Sequence, residues 1–434
     1  MVISKGEFMS TEVNTHKPFW PKRMTVLVLA FFAFVICYLD RVNISIAAIS
    51  MQKEFGWSDV EKGYVFSFFF WGYLCMQIGG GYLANRFGGK LVLGWAVVFW
   101  SAFTLITPIA AFMSIPALLA VRFLMGVGEA GLAPSSFTVV GRWFPQTEQS
   151  RVMSFLSSGT ILGTVGALLL GPKIVTTYGW EMIFYAFGLL GFIWAIFWYA
   201  LIKEHPDQHP SITQYEKDII AAGGGVSEKA KTIPWKKIFA ARPVWALCVV
   251  GFAASWTLYI FLSWLPSYFS DVHELDLAGA GIYALLPWII MFLMMNASGW
   301  IADYMLKTGI SATKTRKILI GFGLLGSALF MFFLRDAESA KSATILMCAA
   351  LGILAFAYAG LVPNSLDIAP RFADILYGTL NTFGTAAGAI GAIAAGYIVQ
   401  QTGSYDNVFI ITAIISLIGG LTYLAFGTGE KLID

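Results

Sequence analysis

Residues 24–50 read MTVLVLAFFAFVICYLDRVNISIAAIS. A helix crosses a bilayer with about 20 apolar residues, so this stretch is long enough to span. Its only charges, the neighbours Asp40 and Arg41, fall inside it. Further apolar runs follow at 61–84, 91–113, 116–141, 152–176 and 180–202, then at 243–269, 279–304, 317–335, 342–366, 375–400 and 406–427. The run at 116–141 is expected as one helix; in the run at 375–400 the series Gly384, Gly388, Gly391 and Gly396 reads as a packing face, with a broken helix as the alternative. The reading is an all-α membrane protein with twelve transmembrane helices in two pseudo-symmetric six-helix halves. Its expected divisions are a tail (1–23), a first bundle (24–202), a linker (203–242), a second bundle (243–427) and a tail (428–434).

Composition agrees. Of 434 residues, 58% are hydrophobic and 12% charged, against about 45–50% and 25% in soluble domains. That leaves too little polar surface to coat a water-soluble globule. A transmembrane barrel would instead show ~10-residue alternating segments. Cys37, Cys75, Cys248 and Cys348 lie in apolar runs and read as small core residues. The four histidines lie in polar segments, so no metal site is expected. The first 22 residues hold no apolar stretch ending at a small-residue cleavage site, so no cleaved signal peptide is expected. Net charge is only +3, which points to no nucleic-acid partner.

Positive charge orients the spans. With both ends inside, segments on the cytoplasmic side hold 21 Lys/Arg and external loops hold 5, Lys62 among them. Both termini are therefore expected in the cytoplasm. The halves also echo each other, Gly81-Tyr82-Leu83-Ala84-Asn85-Arg86 against Gly299-Trp300-Ile301-Ala302-Asp303-Tyr304. Repeats packed around a midplane site are the build of many secondary transporters.

Charges within the spans carry the functional reading. An ionisable group at mid-bilayer costs ~2.5–3.5 kcal/mol on insertion scales, so its presence asks for a use. Asp40, Arg41, Arg122 and Glu129 fall inside spans. Arg122 and Glu129 are two helical turns apart and share a face, and Gly126, Gly128 and Gly131 thin that helix so that neighbours pack closely. One reading is a structural ion network tying two helices together. The sharper one has the arginines grip an anion through their planar forks while Asp40 and Glu129 carry protons. Protonating a carboxylate then unmasks positive charge, and proton and anion raise each other's affinity. Asn296, Asn364, Ser365 and Tyr259 read either as cavity lining or as interhelical bonds, and the Phe68–Trp71 run as core and lipid contact.

The Gly81–Lys90 segment resembles the loop signature of the major facilitator superfamily. The segments Ile36–Asn43, Phe70-Trp71-Gly72-Tyr73, Arg122 to Glu129, Asn364 to Arg371 and Asn381–Thr385 resemble its anion:cation symporter branch, the solute carrier 17-like group that includes sialin and the bacterial D-galactonate transporter. The resemblance implies that Arg41 and Arg122 bind a substrate carboxylate flanked by Tyr38 and Tyr73, that Asn381 and Thr160 add polar contacts, and that Asp40 and Glu129 are the protonatable pair. Thr160 stands where the D-galactonate transporter has a glutamine, and Asn85 where the loop signature usually has Asp. Asn85, Arg86 and Asp303 would form cytoplasmic latches; Asp367 and Arg371, at a span turn, read as a cytoplasmic gate. The expected protein is a monomeric, cofactor-free alternating-access carrier in a bacterial inner membrane. It couples protons to a small organic anion, a sugar acid or carboxylate. The alternative is a carrier of phosphate or another inorganic anion, with sodium as a further coupling ion. Drug efflux would tolerate loss of both arginines, and an enzyme would need a nucleophile–base pair or metal cluster that the sequence lacks.

Overall fold

The computed structural model describes residues 19–222 and 234–433. The tail up to Pro18, the Gly223–Gly225 part of the expected linker and Asp434 lie outside them. The described chain folds as helices: α1 (Lys22–Phe55), α2 (Asp59–Phe87), α3 (Gly89–Met113), α4 (Ile115–Glu129), α5 (Leu132–Trp143), α6 (Gln146–Tyr178) and α7 (Glu181–Leu201), then the short α8 (Gln214–Ala222) and α9 (Trp235–Ala240). The second half holds α10 (Arg242–His273), α11 (Leu277–Lys307), α12 (Ala312–Phe333), α13 (Ala340–Ile368), α14 (Ala373–Thr402) and α15 (Asp406–Phe426). With α4 and α5 counted as one crossing, these give the twelve spans of the fold. Helix α2 falls short of the apolarity of the other spans and carries Tyr64, Ser67, Tyr73, Gln77 and Tyr82 along its length.

The break offered as the alternative for the glycine-rich 375–400 run is absent, since α14 runs unbroken from Ala373 to Thr402. It lies instead between α4 and α5, in the run expected to be continuous. Pro134 is the cause. It has no N–H for the Ala130 carbonyl, and its ring crowds that carbonyl. The freed Ala130 oxygen turns to α2, 3.0 Å from where a Cβ on Gly80 would stand. Glycines of α14 close packing distances rather than break the helix: Gly388 lies against Tyr259 and Phe70, Gly396 against the Asp59 carbonyl.

Helix starts on the face bearing both chain termini are fixed by distant carboxylates, which supply acceptors that the first N–H groups lack. Glu216 of α8, only 1% exposed, accepts from the Lys22 and Arg23 amides at 3.0 and 2.7 Å. Glu204 accepts from the Gly89 and Lys90 amides at 2.9 and 3.0 Å and pairs with Arg142. In the second half Arg316 pairs with Asp367 at 2.7 Å. Asn364 accepts from the Tyr423 hydroxyl at 2.8 Å and donates to Thr428 of the C-terminal tail at 2.9 Å.

The halves meet through α2 with α14, α6 with α11 and α1 with α10. On the face opposite the termini this seam is tight: Ser67 Oγ donates to the Ala389 carbonyl at 2.6 Å, and the Tyr64 and Tyr397 hydroxyls lie 3.0 Å apart. Towards the terminal face the walls separate. Tyr377 of α14 is 40% exposed, and no heavy atom lies within 4 Å of where a Cβ on Gly378 would stand. The seam is thus packed more tightly on the face opposite the termini than around Tyr377 and Gly378.

Candidate functional site

Close helix crossing brings the span charges together. A Cβ on Gly72 would strike the Phe123 carbonyl, one on Gly126 the Phe69 carbonyl, and one on Gly128 would lie 2.8 Å from the Phe99 ring. Helix α4 can therefore lie in backbone contact with α2 and against α3. Its buried face carries Arg122 and Glu129 towards α1, at 2% and 0% exposure.

Arg41 reaches across to Glu129. Its Nη2 and Nε donate to Glu129 Oε2 at 2.6 and 3.1 Å, and Cys37 Sγ lies 3.1 Å from the same oxygen. The Arg41 Nη1 is 3.5 Å from the Tyr38 hydroxyl. Its guanidinium sits among the Tyr38, Phe69 and Tyr73 rings, at 4.7, 4.9 and 5.3 Å from their centres. Arg122 is differently placed. Its Nε points to the Val65 carbonyl at 3.4 Å, its Nη1 to Met125 Sδ at 3.2 Å, and its guanidinium lies 5.2 Å from the centre of the Phe69 ring. Among the described residues no carboxylate lies within ion-pair distance of it. Both arginines open onto one crevice with Ser45, Phe66, Phe70, Leu262 and Ser263, a space of about one water molecule in this closed arrangement.

Asp40 sits apart from this group. Successive helical side chains diverge by about 100°, so Asp40 turns into the first bundle while its neighbour Arg41 turns to the crevice. It is 0% exposed, and the polar group nearest its carboxylate is the Trp100 indole N–H, placed towards it at the edge of hydrogen-bond geometry. Asn43, one turn on, has both amide atoms without partners. By direct contact only Arg41 and Glu129 are paired, while Arg122 and Asp40 make no ion pair, yet Arg122 lies close enough to Glu129 and Asp40 to feel both charges, so the four groups share one field.

Other expected residues fall as follows. Tyr259 of α10 packs on Phe70 at 4.5 Å and lies close enough to Arg41 to feel its field, so it faces the site from the second half. Asn381 shares a face of α14 with Tyr377, four residues away, and is half-buried. The Thr160 hydroxyl donates back to the Ser157 carbonyl at 2.7 Å within α6. Asn85 donates to the Gly81 carbonyl at 3.0 Å, Arg86 reaches the Tyr82 hydroxyl at 2.7 Å, and Asp303 and Arg371 are exposed on the terminal face. Asp367 is held inside the second half by Arg316, and Asn364 makes the interhelical bonds described above. Asn296 is exposed and donates to the Phe292 carbonyl at 2.9 Å within its own helix. Phe69, read from sequence as core or lipid contact, lies under both guanidinium groups. Cys37 was read as core; it is buried and also touches Glu129.

A family model described as Major Facilitator Superfamily matches residues 30–388. "Probable anion transporter 4, chloroplastic" of Oryza sativa subsp. japonica is 41% identical, over 98% of this chain and 72% of that protein. "Ascorbate transporter, chloroplastic" of Arabidopsis thaliana is 41% identical, over 96% of this chain and 77% of that one. "Sodium-dependent phosphate transport protein 1, chloroplastic", also of Arabidopsis thaliana, is 40% identical, over 96% and 82%. Among solved structures, a bacterial homologue of the human lysosomal transporter Spinster, inward-facing and unoccupied, superposes with TM-score 0.76 at 17% identity, covering 94% of this chain and 97% of that one. A D-xylose–proton symporter gives TM-score 0.76 at 15% identity, over 94% and 99%. These two likenesses speak for the fold. The chloroplast names of the relatives give no support to the expected bacterial inner membrane.

Proposed function

The chain belongs to the major facilitator superfamily, as an integral multi-pass membrane transporter and not an enzyme, and on that premise we propose that it carries a small organic anion, a sugar acid or carboxylate, in symport with protons. Relatives at about 40% identity are named as anion transporters, which supports the anionic class. The observation that carries the finer reading is Arg122, a buried guanidinium that no carboxylate contacts, beside an Arg41 that already has a partner. Removing a charge from water without a partner is costly, and a bound carboxylate would supply that partner through two charge-assisted bonds. Tyr38, Tyr73 and Tyr259 frame the crevice and offer hydroxyls to a polar substrate body.

In this reading Glu129 and Arg41 are the switch. While Glu129 is ionised it holds Arg41; a proton on Glu129 releases Arg41 to share the anion with Arg122, so proton and anion favour each other's binding. Asp40 suits a second proton, because an ionised carboxylate there, fully buried and without an ion-pair contact, recovers little of its lost hydration. Rocking of the two halves then opens the crevice to either face, with the terminal face taken as cytoplasmic.

A purified preparation in proteoliposomes tests this. An inward pH gradient should drive uptake of ascorbate or an aldonate without sodium, and excess phosphate should compete weakly. Sodium-driven uptake of phosphate, indifferent to the pH gradient, would replace this reading with a second one. The relative named as a sodium-dependent phosphate transporter is what favours that second reading.

A further inference from the structure

Lys62 takes no part in the central site. Sequence counted it with the external loops, yet its side chain is 0% exposed. It sits at the start of α2, where the two halves press together on the closed face. Its ammonium donates to Gln52 Oε1 at 2.7 Å and lies 3.4 Å from Asp59 Oδ1, both in its own half. Across the seam it meets Asp271 Oδ2 at 3.7 Å and the Trp264 ring at 5.0 Å. Both carboxylates have a second support. Gln52 Nε2 donates to Asp59 Oδ1 at 3.0 Å, and the Tyr405 hydroxyl donates to Asp271 Oδ2 at 2.8 Å. Just beyond, the Val60 amide donates to Gln400 Oε1 at 3.1 Å, again from one half to the other.

We propose that Lys62 and Asp271 form a charge lock that holds this face shut, working by exchange of partners. The cluster has one cation between two carboxylates on opposite walls. With Lys62 present the walls attract. Without it, Asp59 and Asp271 face each other as like charges and push the seam apart. Separation leaves no group bare: Lys62 keeps Gln52 and Asp59, and Asp271 keeps Tyr405. Asp271 is 39% exposed, so water screens the cross-seam pair and keeps it weak. A lock that must open in every transport cycle needs that weakness.

The test measures how fast a membrane-impermeant maleimide, applied to the closed face, labels a cysteine placed at Ser263 in the crevice, over the background of the same protein without it. No substrate is needed, so the outcome is independent of what is transported. Lys62→Gln should speed labelling roughly two- to fivefold. Adding Asp271→Asn to Lys62→Gln should slow it again, because the repulsion is gone. A merely structural lysine would show no such rescue. Should Lys62→Gln fail to reach the membrane, Asp271→Lys carries the test, because two facing lysines should also speed labelling. The lock is overturned by unchanged labelling in Lys62→Gln or Asp271→Lys, or by a double variant as fast as Lys62→Gln alone.

Discussion

Replacing Arg122 by Met separates the two arginines by the sign of their effect on stability. Arg122 is 2% exposed, its guanidinium has no carboxylate partner, and its neighbours Phe69, Val65 and Met125 suit an apolar side chain. Arg122→Met removes a buried charge that no carboxylate contacts, so the unliganded protein should melt no lower than the parent. Arg41→Met does the reverse. It strands Glu129, 0% exposed, with Cys37 as its remaining polar contact, and breaking a buried pair from one side costs about 3–5 kcal/mol. Towards ligand both should lose. Two charge-assisted bonds to a carboxylate are worth about 1.5–3 kcal/mol each, so losing both weakens binding by at least about 100-fold. At an anion concentration of 100 Kd the parent gains about 2.7 kcal/mol of stability, and a variant binding 100-fold more weakly gains about 0.4. Thermal unfolding in detergent, with and without the anion at acidic pH, reads both effects at once. The reasoning fails if Arg122→Met melts as far below the parent as Arg41→Met does, or if it keeps the parent's ligand-induced shift.

Three further outcomes follow from the same geometry. Glu129→Gln should impair uptake driven by a pH gradient far more than anion exchange at equal pH; equal loss of both would reduce Glu129 to a strut for Arg41. Asp40→Asn breaks no ion pair, so it should cost far less in thermal unfolding than Arg41→Met while flattening the pH dependence of uptake, and an unaltered pH profile would remove Asp40 from coupling. Gly126→Ala places a methyl against the Phe69 carbonyl and should cost about 1–3 kcal/mol in thermal unfolding, whereas Gly378→Ala, in open space, should be silent.

What could be read from the sequence is what membrane burial makes expensive. Arg41, Arg122, Glu129 and Asp40 stand out because an ionisable group inside an apolar run demands a reason, and the spans themselves follow from run length. Phe69 and Trp100 gave no such signal, being apolar or amphipathic residues in an apolar run. Their importance arises only when α1, α2, α3 and α4 cross. Lys62 was misread because a lysine near a span end resembles a loop residue; what buries it is Asp271 and Trp264 of the other half. Glycine patterns were ambiguous in the same way. Those in α14 and α4 look alike in sequence, yet α14 runs unbroken and α4 ends at Glu129.

The pairing among the four charges lay deepest, because adjacency along the chain opposes adjacency in space. Asp40 and Arg41 are neighbours in sequence, and the helix turns them to different surroundings. Arg122 and Glu129 share a face, and Glu129 is claimed by Arg41 from another helix. Gly126 and Gly128 set how deeply α4 sinks between α2 and α3, and so which guanidinium Glu129 can reach. The asymmetry that leaves Arg122 without a carboxylate is therefore a property of helix packing, and any change that lifts α4 outward should weaken anion binding without touching a charged residue.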